Sequence, residues 1–461
     1  MKAQSADRLL PVFTVSSSQS KQRGVAALTV VMVLFFVMAM VAAYTSRNMV
    51  FEQRTSVNQL RSTQALEAAQ AGIEWATALL NAGRINSACT ETGATTGDST
   101  FRERYLTVSA SSGAITRKVR SVPTIPPTEL LPTCVSNAGV WSCSCPVDGA
   151  PSVAAPAGTE TSPAFRIRFL NVASQPGIVR IESNGCTRLD DECLNFPARS
   201  SPGEGRATIS ALIGLKSGLS TPPLAAVVAR SDVSGAMSIY NSMECLPGAT
   251  SCPSRITVQS GASVTVPPSN LFAAAGTPGE LSIIDNDPTL AAAALPVLPW
   301  PIGDRLFASV FAMWPSTYKD QPAALRPDCG AGQCTAAFLR TLASMNPNRV
   351  IWIDGNLSVA TADDIGTIAS PVILVVTGNI TFTASATIYG VVYGARSSVA
   401  TPAFGITGPG VIRGAVIAEH GLVGTSAPIV QYDKGLVDLL RYTSGSMVLV
   451  PGSWRDFPEG S

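Results

Sequence analysis

Between Val25 and Ala43 the chain runs nineteen residues in which Thr29 is the only polar side chain. As a helix this run is about 28 Å long at roughly 1.5 Å per residue, close to the hydrocarbon thickness of a bilayer. Its surroundings must be lipid or other apolar surface. Lys21 and Arg23 lie close before it, Lys2 and Arg8 farther back, and Arg47, Arg54 and Arg61 follow, so the basic residues alone barely set an orientation. The cysteines do better. All ten lie beyond the run, and even-numbered cysteines at short spacings belong in an oxidising compartment, so the carboxy-terminal bulk is expected outside the cytoplasm. Val41-Ala42-Ala43 is a passable signal cleavage site, so a secretory signal competes with a retained anchor.

The residues after Ala43 favour the anchor. There is no proline until Pro123, and Tyr44 to Asn81 is filled with Ala, Leu, Gln, Glu and Arg, with Val57, Leu60, Ala65, Leu66, Ala68, Ala69 and Ile73 at helical spacings. A continuous helix from Val25 to Asn81 is expected, on the order of 85 Å long. Its outer half carries Ala65, Ala68, Ala69, Ala71 and Ala76 in place of large apolar residues, a face suited to close packing between helices.

Lys21-Gln-Arg-Gly24-Val25-Ala-Ala-Leu followed by the apolar run resembles the leader and amino-terminal helix of type IV prepilins. That resemblance implies cleavage by a membrane-embedded prepilin peptidase after Gly24 and N-methylation of the new terminus, Val25. Gln64-Ala-Leu-Glu-Ala-Ala-Gln-Ala-Gly-Ile-Glu74 is similar to the corresponding part of PilX-type minor pilins, and the ending Gly452-Ser-Trp-Arg-Asp-Phe457 also looks like that group. Major pilins carry a glutamate where this chain has Thr29; its absence is shared by PilX-type pilins and by GspK-type pseudopilins of type II secretion, and speaks for a minor subunit. The implied partners are other minor and major pilins through the helix, the peptidase, the inner membrane and a tip adhesin. The implied location is the bacterial inner membrane, with a single span and a periplasmic body, and then the pilus at the cell surface.

Charged residues are only 14 % of the chain, while Gly 38 and Pro 33 point to many turns and short strands. Tyr105 to Ala110 and Ile115 to Val122 read as a hairpin, Pro123 to Pro132 as a linker, Asp148 to Pro163 as a loop, and Phe165 to Phe169 with Gly177 to Ser183 as a strand pair. Three cysteine pairs close short loops: Cys186 with Cys193, Cys245 with Cys252, and Cys329 with Cys334. Cys89, Cys134, Cys143 and Cys145 remain, as further disulfides or, far less favourably, a zinc site.

The last third repeats. Ile353-Asp-Gly355-Asn-Leu-Ser-Val359 recurs as Val376-Thr-Gly378-Asn-Ile-Thr-Phe382, and Ile388-Tyr-Gly390-Val-Val-Tyr393 as Ile412-Arg-Gly414-Ala-Val-Ile417, at offsets of 23 and 24. Short Val/Ile/Thr strands turned at glycines with such a period fit a stacked β-solenoid. Leu224 to Ile239 and Ser254 to Val266 share the rhythm and belong to the same sheet system. Asp304 to Met313 reads as a helix capped by Asp304 and ended by Pro315, with Leu306, Phe307, Val310 and Phe311 facing the solenoid; Tyr432 to Tyr442 reads as another with Leu436, Leu439 and Leu440 buried, and Met447 to Pro451 as a final strand. The expected fold is α+β and mostly β: a leader over 1–24, a helix over 25–82 with 25–43 in the membrane, a β-rich, disulfide-containing region over 83–203, and a β-solenoid-like domain over 204–461 with a helical insertion around 300–346.

Lys+Arg 32 against Asp+Glu 31 leaves a net charge of +1, which argues against a nucleic-acid partner. His420 is the one histidine, so His-based metal or nucleophile chemistry would have to share it. Asp285, Asp287, Asp354, Asp363 and Asp364 could in principle serve a glycan-active solenoid or calcium, but acids of this kind are favoured at turns. Trp314, Trp352 and Trp454 are the aromatic candidates for an adhesive face. The expectation is a non-enzymatic minor pilin-like subunit acting in pilus assembly, at initiation or the tip, with no catalytic residue, metal or cofactor. Its alternatives are a GspK-like pseudopilin and a membrane-anchored β-solenoid adhesin or glycan-active protein.

Overall fold

The computed structural model describes residues 23–122, 125–157, 161–196, 204–245, 255–274, 276–292, 304–329, 334–395 and 403–457. The chain divides between Leu60 and Arg61 into two units. Within the first, one helix, which runs over Arg23–Leu79, has its side chains exposed from Ala26 to Leu60. Within the second, the rest of that helix changes character: Ala65, Ala68, Ala69, Ile73 and Ala76 are buried.

They are buried against an antiparallel sheet. Its strands lie in the order Gly445–Leu449, Arg206–Ser217, Ile178–Cys186, Ala164–Asn171, Thr133–Asn137, Val140–Ser144. Phe165, Ile167, Val179, Ile181, Ile209 and Ile213 form one core with Ala69, Ile73 and Ala76. The alanine face therefore meets a sheet of its own chain and not another helix. Close approach requires glycine in the sheet: a Cβ on Gly185 would lie 2.2 Å from the Ala65 carbonyl oxygen and 2.4 Å from the Ala69 nitrogen. Small helix residues opposite small sheet residues leave no gap between the two layers.

Two expectations for the segment before this sheet need correction. Tyr105 does not begin a strand but ends a short helix, Phe101–Tyr105, because Thr100 and Glu103 form a reciprocal cap, Glu103 N–H donating to Thr100 Oγ1 at 3.1 Å and Thr100 N–H to Glu103 Oε2 at 3.0 Å. The hairpin that follows is shorter, Leu106–Val108 with Ile115–Arg117. The proline-rich stretch is not a free linker either, since Ile125–Glu129 pairs antiparallel with Val119–Val122. The register shifts between Arg120 and Val122, opposite Pro126 and Pro127, so the ladder is already interrupted where these prolines stand.

Between Ser217 and Gly445 the strands become parallel and stack in register. Val350–Ile353 pairs with Val372–Val376, and Leu357–Val359 with Ile380–Phe382, at the 23-residue offset of the first repeat. Thr387–Gly394 pairs with Val411–Ala418 from Thr387 opposite Val411 to Gly394 opposite Ala418, the 24-residue offset of the second. Gly390 and Gly414 face each other in this ladder, both at φ +142°, and each bends a strand so that its two halves serve different sides of the coil. Val227–Ala229, Val233–Gly235 and Ser238–Tyr240 then stack on the coil formed by Val411–Ala418, Leu422–Thr425 and Ile429–Tyr432. Val258–Ser260 and Ile283–Ile284 continue outward. The coils earlier in sequence thus lie beyond the later ones, and the chain between them returns from one end of the stack to the other.

That return carries the helices Pro288–Ala292, Asp304–Phe311, Pro315–Lys319 and Ala336–Met345. Phe307 and Phe311 pack on Tyr393 at ring-centroid distances of 5.0 and 5.3 Å, and Phe307 on Trp352 at 5.8 Å. Pro315 opens the next helix, whose first turn tolerates its missing N–H. Near the end, Asp433 caps the helix Lys434–Thr443 and buries Leu436, Val437 and Leu440, while Leu439 is half-buried; Gly445–Leu449 follows.

Two predictions test this packing. An Ala at Gly414 would place Cβ 2.0 Å from the Gly390 carbonyl oxygen, so Gly414→Ala is expected to cost on the order of 3 kcal/mol in a denaturant titration. Gly177→Ala, with nothing within 4 Å, is the control and is expected within about 1 kcal/mol of the parent. Disulfides give the second. Cys89–Cys145 closes a 56-residue separation and Cys186–Cys193 one of 7, so removing the first pair is expected to cost about 4 kcal/mol and the second about 2.

Candidate functional site

The acids of the stacked region are occupied as turn acceptors. Asp287 accepts from the Thr289 N–H at 2.8 Å and from Gln259 Nε2 at 2.7 Å. With the Thr289 hydroxyl, these bonds hold its carboxyl below the usual range, so at neutral pH it is a bound carboxylate with no proton to give. Asp363 accepts from the Thr361 hydroxyl at 2.6 Å and Arg340 at 3.1 Å, and Asp364 from the Thr387 N–H at 2.7 Å. Asp354 takes the Trp352 indole N–H at 2.9 Å and Lys319 at 3.1 Å. Asp285 is exposed. Among the described residues no group of three or more His, Cys, Asp or Glu could hold a metal ion. His420 is half-buried and packs against the Arg230 guanidinium.

The tryptophans separate. Trp352, one of the aromatic candidates for an adhesive face, is instead buried beneath Phe307 and Tyr318. Trp314 is half-buried at the start of the helix Pro315–Lys319, and Trp454 is exposed. These three do not make one surface for a sugar. The cysteines pair as Cys89–Cys145, Cys134–Cys143, Cys186–Cys193 and Cys329–Cys334, which removes the four thiolates a zinc site would need. Cys245 is also disulfide-bonded; Cys252 lies outside the described residues.

What remains is the helix. Gly24 and Val25 stand in its first turn, while residues 1–22, with Lys21 among them, lie outside the described residues. Leu28 and every large apolar residue from Val30 to Val41 are exposed, Phe35 to 74 % and Phe36 to 65 %. None of this apolar window is buried within the chain. Fully covering these side chains is worth on the order of 20 kcal/mol, more than the net stability of an ordinary domain, and nothing among the described residues supplies that cover.

The helix is also suited to an apolar solvent in its polar groups. Thr29 Oγ1 donates to the Ala26 carbonyl at 2.9 Å, Thr45 to Val41 at 2.9 Å and Thr55 to Phe51 at 2.9 Å. The Thr29 hydroxyl, the one inside the apolar run, is thus satisfied by its own helix, as a segment without water requires. At Thr29 this places a locally satisfied hydroxyl where an ionised glutamate would need a partner. Sequence reading missed the glycines that seat the inner half of the helix, Gly72 on the helix against Ser183 and Phe165, Gly185 against Ala65 and Ala69, and Gly205 against Arg61; for Gly185 the signal was the run of alanines it faces.

The family model described as PilX N-terminal matches residues 23–74. No curated protein matches the chain. Among solved structures, the competence-associated pilin ComZ from Thermus thermophilus is similar at 12 % identity over 86 % of this chain and 98 % of that one, with a TM-score of 0.23, a value at which the two folds do not superpose as wholes. The match covers the amino-terminal segment alone, which is similar to the PilX N-terminal family and includes the bare part of the helix.

Proposed function

We propose that this protein is a minor pilin-like subunit of a type IV pilus, acting in assembly at the initiation or tip stage and not as an enzyme. Before assembly, residues 25–43 hold it in the inner membrane with the β-rich body on the periplasmic side. A prepilin peptidase cuts between Gly24 and Val25, Val25 is N-methylated, and the helix then passes from lipid into contact with the helices of other pilins. The observation that carries this reading is the uncovered apolar surface of Leu28 to Val41, which coincides with the matched family segment. Transfer from lipid to helix neighbours exchanges one apolar environment for another, so no large hydrophobic gain drives it and side-chain fit selects the partner. A body of this size is bulky to repeat along a thin fibre, which favours a few copies at its end, where a tip adhesin could be carried.

Mass spectrometry of the amino terminus tests the processing step. The parent protein is expected to begin at a methylated Val25. A Gly24→Val chain is expected to keep its leader, to stay in the membrane fraction and to be absent from sheared fibres. A parent chain beginning at Tyr44 or at Met1 contradicts the proposal.

A further inference from the structure

The two edges of the stacked-coil region enter and leave at one place. Gly218 N–H donates to the Ser444 carbonyl at 2.8 Å, and Ser217 lies opposite Gly445 in the antiparallel sheet. Everything from Leu219 to Thr443 is therefore an insertion between two neighbouring strands of the sheet that carries the helix. The second of those strands, Gly445–Leu449, is made only after the whole insertion.

That strand is held on both edges. On one it pairs with Arg206–Ser217 from Ile213 opposite Leu449 to Ser217 opposite Gly445, and the pairing is prolonged by Val450 N–H to Leu212 O and by Ser210 and Arg455 exchanging two bonds, all at 2.8 Å. On the other edge no strand follows among the described residues. Instead the Asn81 side-chain amide donates to the Met447 carbonyl at 2.8 Å and accepts from the Met447 N–H at 2.8 Å, the two bonds a neighbouring strand would supply. Met447 itself is fully buried in the core that holds Ala76, Leu80 and Ile213. Beside it, the buried Arg102 donates to Leu80 O at 3.2 Å, Thr443 O at 3.2 Å and Gly445 O at 2.9 Å. Burial lowers the Arg102 guanidinium to about 10, still protonated at neutral pH. Without the end of the chain, this buried cation would lose two of those three carbonyls, and the Asn81 amide would lose both of its bonds to Met447.

We propose that the carboxy-terminal strand is a latch that completes the helix-on-sheet unit, so that this unit reaches its native packing only after the inserted coils have been made and folded. Asn81 and Arg102 are the catch, Gly445–Leu449 the bolt. Loop closure over the whole insertion must precede the contact, which makes it a late event in folding. A chain cut short anywhere in the coils keeps its apolar anchor but leaves the alanine face of the helix on an unfinished sheet.

Native-state hydrogen exchange on the full-length protein in detergent, at rising sub-denaturing urea, tests this. Amides of Gly445–Leu449, Ile178–Cys186 and helix residues 65–79 are expected to open together, with one shared urea dependence, apart from those of Val372–Val376 and Val411–Ala418. In full-length Asn81→Leu, the first set is expected to exchange roughly tenfold faster or more, with the coils within about twofold of the parent. The proposal is overturned if Gly445–Leu449 frays alone at lower urea while the sheet stays protected, or if sheet and coils open as one unit.

Discussion

A helix whose large apolar side chains find no cover in their own protein needs a solvent other than water. Among the described residues, Leu28 to Val41 present such a surface. Hydroxyls along it bond back to their own carbonyls, and no charged residue occurs between Val25 and Ala43. In lipid or among similar helices these features cost little, and in water they would outweigh the stability of the folded body. The same helix continues past Arg61 with alanines in place of valines and phenylalanines, and there its own sheet closes on it.

The body meets two further constraints. To let a sheet lie against an alanine face, residues such as Gly185 give up their side chains. To add a large stack of parallel coils without disturbing that packing, the chain inserts it between adjacent strands, where entry and exit meet at Gly218 and Ser444. The stack buries one continuous apolar interior, from Val350 through Val416 to Val258. Because the early coils lie beyond the late ones, the seam between the two groups depends on pairings between residues far apart in sequence, such as Val227 with Val416.

This explains which parts were legible. Local periodicity marked the helix, and the repeats around Gly355, Gly378, Gly390 and Gly414 gave offsets that are the observed registers. Leu306, Phe307 and Phe311 were read as a covering face and are buried. The shared strand rhythm placed Val227–Ala229 in the same sheet system, but that it stacks on Val411–Ala418 was not readable from segments so distant. The target of the alanine face was misjudged because small residues admit a helix or a glycine-bearing sheet equally well. Thr100-Phe-Arg-Glu103 was a readable cap that was passed over, and the chain end's role rests on Asn81 and Arg102, whose partners lie hundreds of residues away.

The central claim is that the exposed helix exchanges lipid for the helices of other subunits. Photo-crosslinking from a probe at Phe36 addresses it directly, in membranes and in sheared fibres from the same cells. The account predicts lipid adducts in the membrane fraction and adducts to the apolar helix of another pilin in fibres. Lipid adducts alone in both fractions, or fibres that never contain the probe-bearing chain, would contradict it.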